Sequence, residues 1–116
     1  MVKESDRPSI MVYVDENFKD SRILQDILYG IEEESVFFHT KNVNGDSSAN
    51  MAARAALESR LQVGIGLDST GSIALHYKNM KDPLFLIRAN REKAERSLGS
   101  NAARLVKGIP LIPVLC

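Results

Sequence analysis

The segment Val63–Leu67, VGIGL, constrains this chain more than any other. As a strand it turns Val63, Ile65 and Leu67 to one face and leaves Gly64 and Gly66 bare on the other. Bare glycines inside a strand call for a helix or a neighbouring backbone that approaches closely. The turn DSTG at Asp68–Gly71 and the apolar run Ser72–His76 that follows predict a hairpin leaving this strand.

The rest of the chain supplies alternating partners. Ser9–Val14 (SIMVYV) is apolar and β-branched, which predicts a buried first strand. From Asp20 to Glu34, Ile23, Leu24, Ile27, Leu28 and Ile31 recur at helical spacing, with Arg22, Gln25, Asp26 and Glu33 elsewhere on the wheel. Val36–Thr40 (VFFHT) is expected as a second strand. Asn44-Gly45-Asp46 is turn chemistry, after which Asp46 or Ser47 caps an Ala-rich helix running to about Arg60. Leu84–Ala89 is expected as a fifth strand. Asn90 then caps a final helix that sets Ala94, Leu98, Ala102, Leu105 and Val106 inward and stops at Gly108. Strands alternating with helices favour right-handed parallel crossovers. The expected fold is therefore α/β: a three-layer, open, mostly parallel sheet with helices on both faces and one antiparallel hairpin strand. Residues 1–8 are expected as a flexible lead-in and 9–116 as a single domain. A chain of 116 residues buries roughly two thirds of its unfolded surface.

Composition excludes several partners. Fifteen basic and fifteen acidic residues cancel, and no run of Lys and Arg appears, so nucleic acid is not expected. The single cysteine, Cys116, has no intramolecular partner, which fits a reducing compartment. The N-terminus MVKESDRPS lacks the apolar segment of a secretory signal. The longest apolar stretch, IPLIPVLC, is broken by Pro110 and Pro113 and falls far short of the roughly 18 apolar residues of a membrane span. A cytoplasmic protein without a membrane partner is expected.

No complete catalytic set emerges. In Gly64–Gly71 (GIGLDSTG) the glycines lie within a strand, Ser69 replaces the third glycine of a dinucleotide fingerprint, and another strand follows, so no helix N-terminus meets a phosphate. A phospho-acceptor receiver needs acidic residues after the first strand, an Asp ending the third and a Lys ending the fifth. Asp15, Glu16 and Asp68 stand in the acidic places, but a strand follows Asp68 and Arg88 replaces the Lys. His39 and His76 fall in strands without ligand-spaced neighbours and are expected as half-buried structural side chains. Cys116 lacks a nearby helix or fixed cation and is expected to be inert. Three features point outward. Glu32, Glu33 and Glu34 end the first helix against its dipole. Gly30 and Gly99 lie inside helices, where each costs about 1 kcal/mol relative to Ala and lets another helix approach, from this domain or from a partner. The tail Ile109–Cys116 suits an edge strand or a docking segment.

Leu61–Leu67 (LQVGIGL), Gly71–His76 (GSIALH) and Gly99–Leu111 (GSNAARLVKGIPL) closely resemble the small subunits of diol and glycerol dehydratase reactivating factors. Gly30–Val36 (GIEEESV) is similar to that family's Gly-Leu-Glu-Glu segment. The resemblance runs from about Ser9 to Pro110. The medium subunit of the adenosylcobalamin-dependent dehydratases shares weaker forms of the motifs and is considerably longer. The resemblance implies a non-enzymatic, chaperone-like subunit with no cofactor of its own. Its implied partners are a large actin-like, Hsp70-type ATPase subunit and an inactivated diol or glycerol dehydratase. Exchange of the small subunit for the dehydratase's medium subunit would free the damaged cobalamin, and ATP would release the apoenzyme. The setting implied is cytoplasmic, free or associated with a bacterial microcompartment. The family's interfacial magnesium ligand falls on Glu33, with Glu32 second, and Gly30, Glu32 and Glu33 form the implied interface. Ser35 and Phe37 stand where the family often has Gly and Pro, and Glu16-Asn17 replaces a Pro-containing turn. The alternatives from other classes are a structural component of a cobalamin-dependent dehydratase and a receiver-like domain.

Overall fold

The computed structural model describes residues 7–89 and 94–113. Its elements follow the expected order: β1 (Ile10–Asp15), α1 (Ser21–Glu33), β2 (Phe38–Val43), α2 (Ser48–Glu58), β3 (Val63–Leu67), β4 (Ser72–Tyr77), β5 (Phe85–Arg88) and α3 (Ala94–Lys107). They form one five-stranded sheet in the order β2-β1-β3-β4-β5. β1 pairs in parallel with both β2 and β3. β4 runs antiparallel to its neighbours β3 and β5 and is the single reversed strand.

The two faces of the sheet carry different cores because side chains alternate along a strand. Ile10, Val12 and Val14 of β1, with Val63, Ile65 and Leu67 of β3, join Ile27, Ile31 and Leu98 of α1 and α3 in the main core. Met11 and Tyr13 on the other face of β1 meet Met51 and Ala55 of α2 in a smaller one. The bare side of β3 is where α2 lies. A Cβ on Gly64 would stand 2.7 Å from the Ala55 carbonyl carbon, and one on Gly66 2.7 Å from the Ala52 nitrogen. Ala52, Ala55 and Ala56 are fully buried, so small side chains on the helix meet none on the strand. The close approach expected from VGIGL is present.

Several boundaries differ from expectation. The second strand starts at Phe38 and runs on through Lys41 and Asn42 to Val43. The apolar run predicted it earlier, over Val36–Thr40, but its placement comes from parallel pairing, in which Tyr13 faces Lys41 and Asp15 faces Val43. As an edge strand it tolerates polar side chains, so His39 is exposed rather than half-buried. His76 is buried, with Nδ1 2.9 Å from the Tyr77 carbonyl oxygen. Ser47 caps α2, accepting from the Asn50 N–H at 3.2 Å. The helix stops at Glu58, not Arg60, because the Ser59 hydroxyl turns inward to donate to the Ser9 carbonyl at 2.6 Å. Gly108, at φ +69°, ends α3 as expected. The described part of the tail, residues 109–113, forms no strand. The Asn90 cap and Cys116 lie outside the described residues, as do positions 1–6 of the expected lead-in. Arg7 is described and sets its guanidinium 5.0 Å from the Phe37 ring centroid.

Candidate functional site

In an open α/β sheet the usual place for a ligand is the rim at the carboxyl ends of the strands. Here open hollows lie along that rim, beside Asp15, Phe18 and Asn42 and beside Thr70 and Arg88, but the carboxylates of Asp15 and Asp68 are taken up by the chain itself. The Asp15 carboxylate accepts from the Asn17 N–H at 2.8 Å and the Gly45 N–H at 3.2 Å. Asp68 accepts from the Thr70 hydroxyl at 2.6 Å and the N–H groups of Thr70, Ser72 and Ser48 at 2.9–3.1 Å. Burial raises the Asp68 carboxyl, but the bonds from Thr70, Ser72 and Ser48 outweigh it and hold the group below the usual carboxylate range. Because Ser48 begins α2, the N-terminal N–H that would greet a phosphate already has an anion, supplied by the chain itself. The strand after Asp68 and its four hydrogen bonds fit a structural turn, not a phospho-acceptor.

The outward-facing chemistry lies instead at the end of α1. Asp20 caps this helix, accepting from the Arg22 N–H at 3.1 Å. Ile23, Ile27, Gly30 and Ile31 face the core, leaving Asp26, Tyr29, Glu32 and Glu33 on the outside. The helix stops because Ser35 takes φ +60° and its N–H bonds to the Glu32 carbonyl at 2.9 Å. That left-handed turn suits glycine best, so Ser35 keeps the stop that a glycine in its place would make more easily.

α3 crosses α1 where both lack a side chain. A Cβ on Gly30 would stand 2.7 Å from the Ser100 nitrogen and inside contact distance of the Arg96 carbonyl oxygen; one on Gly99 would stand 2.9 Å from the Ile27 carbonyl carbon. The two glycines expected to admit another helix therefore admit each other's, within this domain. Of the set Gly30, Glu32 and Glu33, Gly30 is spent on this crossing, while Glu32 and Glu33 remain exposed.

The crossing brings α3 cations to the acidic helix end. Arg96 Nε donates to Glu33 Oε1 at 2.6 Å, and both side chains are about half exposed. The Arg96 guanidinium also lies 5.8 Å from the Tyr29 ring centroid. Arg104 donates to Glu34 Oε2 at 3.0 Å and Lys107 to Glu34 Oε1 at 3.2 Å. The hydrogen bond from Lys107 lowers the Glu34 carboxyl most; burial pushes it up, and with the added pull of Arg104 the group stays below its ordinary range. Glu32 has no side-chain partner among the described residues. The dipole conflict expected for three terminal glutamates is thus offset by α3. Sequence reasoning missed these cations because they lie 63 to 73 positions away. It also missed Asn101, which is fully buried and binds both backbone groups of Ile112 at 2.6 and 2.7 Å, tying the tail to α3. A lone Asn on the apolar face of a helix was the available signal.

Among the described residues no group of three or more His, Cys, Asp and Glu side chains converges as a metal site. At the α1 end the exposed carboxylates are those of Glu32 and Glu33. No helix among the described residues is long and apolar enough to cross a membrane.

Residues 7–112 match the dehydratase medium subunit family. The propanediol dehydratase-reactivating factor small subunit of Citrobacter freundii is 40% identical over 106 residues, which cover 89% of this chain and 89% of that protein. A solved glycerol dehydratase reactivase aligns with a TM-score of 0.88 at 31% identity, covering 94% of this chain and 100% of that one. A diol dehydratase-reactivating factor solved in complex with ADP and Mg²⁺ aligns with a TM-score of 0.84 at 35% identity, covering 92% and 99%.

Proposed function

The chain belongs to the dehydratase medium subunit family, and from that premise we propose that it is the non-catalytic small subunit of a reactivating factor for an adenosylcobalamin-dependent diol or glycerol dehydratase. The observation that carries this reading is the match, over nearly the whole of both chains, to a small subunit of such a factor. The rim geometry supports it: the α2 N-terminal N–H that could meet a nucleotide phosphate already donates to Asp68, and Asp15 is tied to the chain's own backbone. Nucleotide chemistry then belongs to a large actin-like ATPase subunit, and this chain supplies a docking surface. Subunit exchange with the dehydratase is the step in which the surface acts, in the cytoplasm or within a microcompartment.

The end of α1 is the part of that surface with chemistry to offer. Glu33 contributes one carboxylate oxygen to a magnesium ion held mainly by the large subunit, with Glu32 as the second choice. A hard divalent cation commonly takes only one or two carboxylates from a given source. When bound, the ion would supply positive charge opposite the exposed carboxylates of this helix end. This chain's part is to present the carboxylate on a helix end fixed by the Gly30–Gly99 crossing.

Reconstitution tests the proposal. Glycerol-inactivated dehydratase is incubated with ATP, Mg²⁺ and fresh adenosylcobalamin, with the ATPase subunit alone or with this chain added. Recovery of activity only when both subunits are present is expected. Full recovery without this chain overturns the proposal. Bound cobalamin absorbance on this chain with a dehydratase large subunit would assign it to the dehydratase itself.

A further inference from the structure

The three glutamates at the end of α1 are adjacent in sequence but held in three different ways. Glu34 has both carboxylate oxygens occupied, by Arg104 and Lys107, and its side chain is only 15% exposed. Glu32 is exposed and has no side-chain partner among the described residues. Glu33 lies between these states. Arg96 holds Oε1 at 2.6 Å, while Oε2 accepts no hydrogen bond from the described residues, and half of the side chain faces solvent.

These states differ in what they offer an incoming cation. Glu34 would have to abandon two charged donors. Glu32 would have to surrender all its rotamer freedom on binding. Glu33 has part of that ordering already done, with one oxygen anchored and the other open. Carboxylates that bind metals are commonly oriented by a hydrogen bond to the oxygen that does not coordinate, and a guanidinium is well suited to it because its donors point along fixed directions.

Arg96 is itself constrained. Its backbone carbonyl lies against Gly30, so its Cα has little room to move relative to α1. Its guanidinium stands beside the Tyr29 ring, and the Asp26 carboxylate attracts it as well. Asp26, Tyr29 and Glu33 follow one another at helical spacing along the stripe of α1 that faces it.

We propose that Arg96 is the positioning residue of the docking site: it fixes Glu33 through Oε1 so that Oε2 is presented, already oriented, to a divalent cation carried by the partner subunit. This inference rests on the reading of Glu33 as the interfacial carboxylate and adds the residue that makes Glu33, rather than Glu32 or Glu34, fit for that role. Arg96 does not touch the ion. It acts through the carboxylate, so its effect exists only when the ion is present.

The test measures affinity between the full chain and its ATPase subunit by titration calorimetry in ADP, with Mg²⁺ and after chelation. The chains compared are wild type, Glu33→Gln, Arg96→Gln and Arg96→Lys. Glu33→Gln is expected to abolish the gain in affinity that Mg²⁺ confers. Arg96→Gln is expected to weaken binding about three- to tenfold in Mg²⁺, below the roughly 10–100-fold typical of residues that orient metal ligands because the pair is half exposed, and to leave binding after chelation unchanged. Arg96→Lys keeps a charged donor and is expected to recover part of the loss. If Glu33→Gln leaves the Mg²⁺ effect intact, the reading of Glu33 itself fails. If Glu33→Gln abolishes it while Arg96→Gln binds as wild type or tighter in Mg²⁺, Glu33 stands and the positioning role is overturned. Equal weakening with and without Mg²⁺ also overturns it, because Arg96 then contributes by direct contact or by stability. Thermal melting of each variant alone separates the last two causes.

Discussion

Replacing Gly30 by alanine places a methyl carbon 2.7 Å from the Ser100 nitrogen, and closer still to the Arg96 carbonyl oxygen. Both neighbours are backbone, so no flexible side chain can swing away. Ordinary contact begins near 3.4 Å, so α1 and α3 must part by at least about 0.7 Å. The seam they share contains Ile27, Ile31, Leu98 and Ala102, all fully buried. If about ten atom pairs per residue span it at roughly 0.15 kcal/mol each, the seam is worth about 6 kcal/mol, and a gap of this size forfeits a quarter to a half of that. The Ser100 hydroxyl, 3.3 Å from the Gly30 carbonyl oxygen, loses its bond for about 1 kcal/mol more. Alanine's better helix propensity returns about 1 kcal/mol. The net expectation is a loss near 2 kcal/mol, a fall in Tm of roughly 8 °C for a chain this size. Calorimetry or circular dichroism melting measures it. Gly99→Ala is expected to behave alike, and the double variant to fall short of the sum because the first methyl already opens the seam. Gly45→Ala is the control: with φ +68° and nothing within 4 Å, it meets only local backbone strain of about 1 kcal/mol. A Gly30→Ala chain as stable as wild type, or more so, refutes a close crossing at this point.

Other outcomes follow from the same contacts. Asp68→Asn turns an amide NH₂ toward backbone donors and is expected to cost about 1–3 kcal/mol by chemical denaturation. Because the folded Asp68 pKa is depressed, its stabilisation is present above the ordinary carboxylate range and lost as pH falls below about 4; the Asn variant should lack that acid-sensitive component. Ser35→Gly is expected to raise stability by about 1 kcal/mol, since Ser35 adopts φ +60° and glycine takes that conformation without strain. Glu34→Gln is expected to lower the melting midpoint at neutral pH and low salt, with the difference shrinking in 0.5 M NaCl. It should shrink also as pH falls through the Glu34 range, because that pKa is lowered by Lys107 and Arg104. A difference that grows with acid would contradict the pairing.

The parts of the fold that were legible in the sequence are those written in local pattern. Alternation along VGIGL and the Ala-rich segment before it are two halves of one contact, each requiring the other's small residues. The helical period of Ile23, Ile27 and Ile31 marked the buried side of α1, and the turn residues of Asp68–Gly71 marked the hairpin. The edge strand was misplaced because its extent is decided by a neighbour's register, and its outward residues His39, Thr40 and Lys41 look like loop. The candidate site was half legible. A run of acidic residues at a helix end stood out, but nothing local distinguishes Glu32 from Glu33 or Glu34. That distinction is made by Arg96, Arg104 and Lys107 on a helix more than 60 positions away, brought there by two glycines whose shared purpose appears only in the crossing.

Hydroxyl-radical footprinting of the chain, free and bound to the proposed large subunit, tests most directly whether the end of α1 is the docking surface. Tyr29, Leu57 and Met80 are all exposed and report on α1, α2 and the β4–β5 connection respectively. Docking through the Tyr29–Glu33 end of α1 predicts that oxidation of Tyr29 falls sharply in the complex while Leu57 and Met80 are oxidised as in the free chain. Protection of Leu57 or Met80 with Tyr29 unchanged would contradict it.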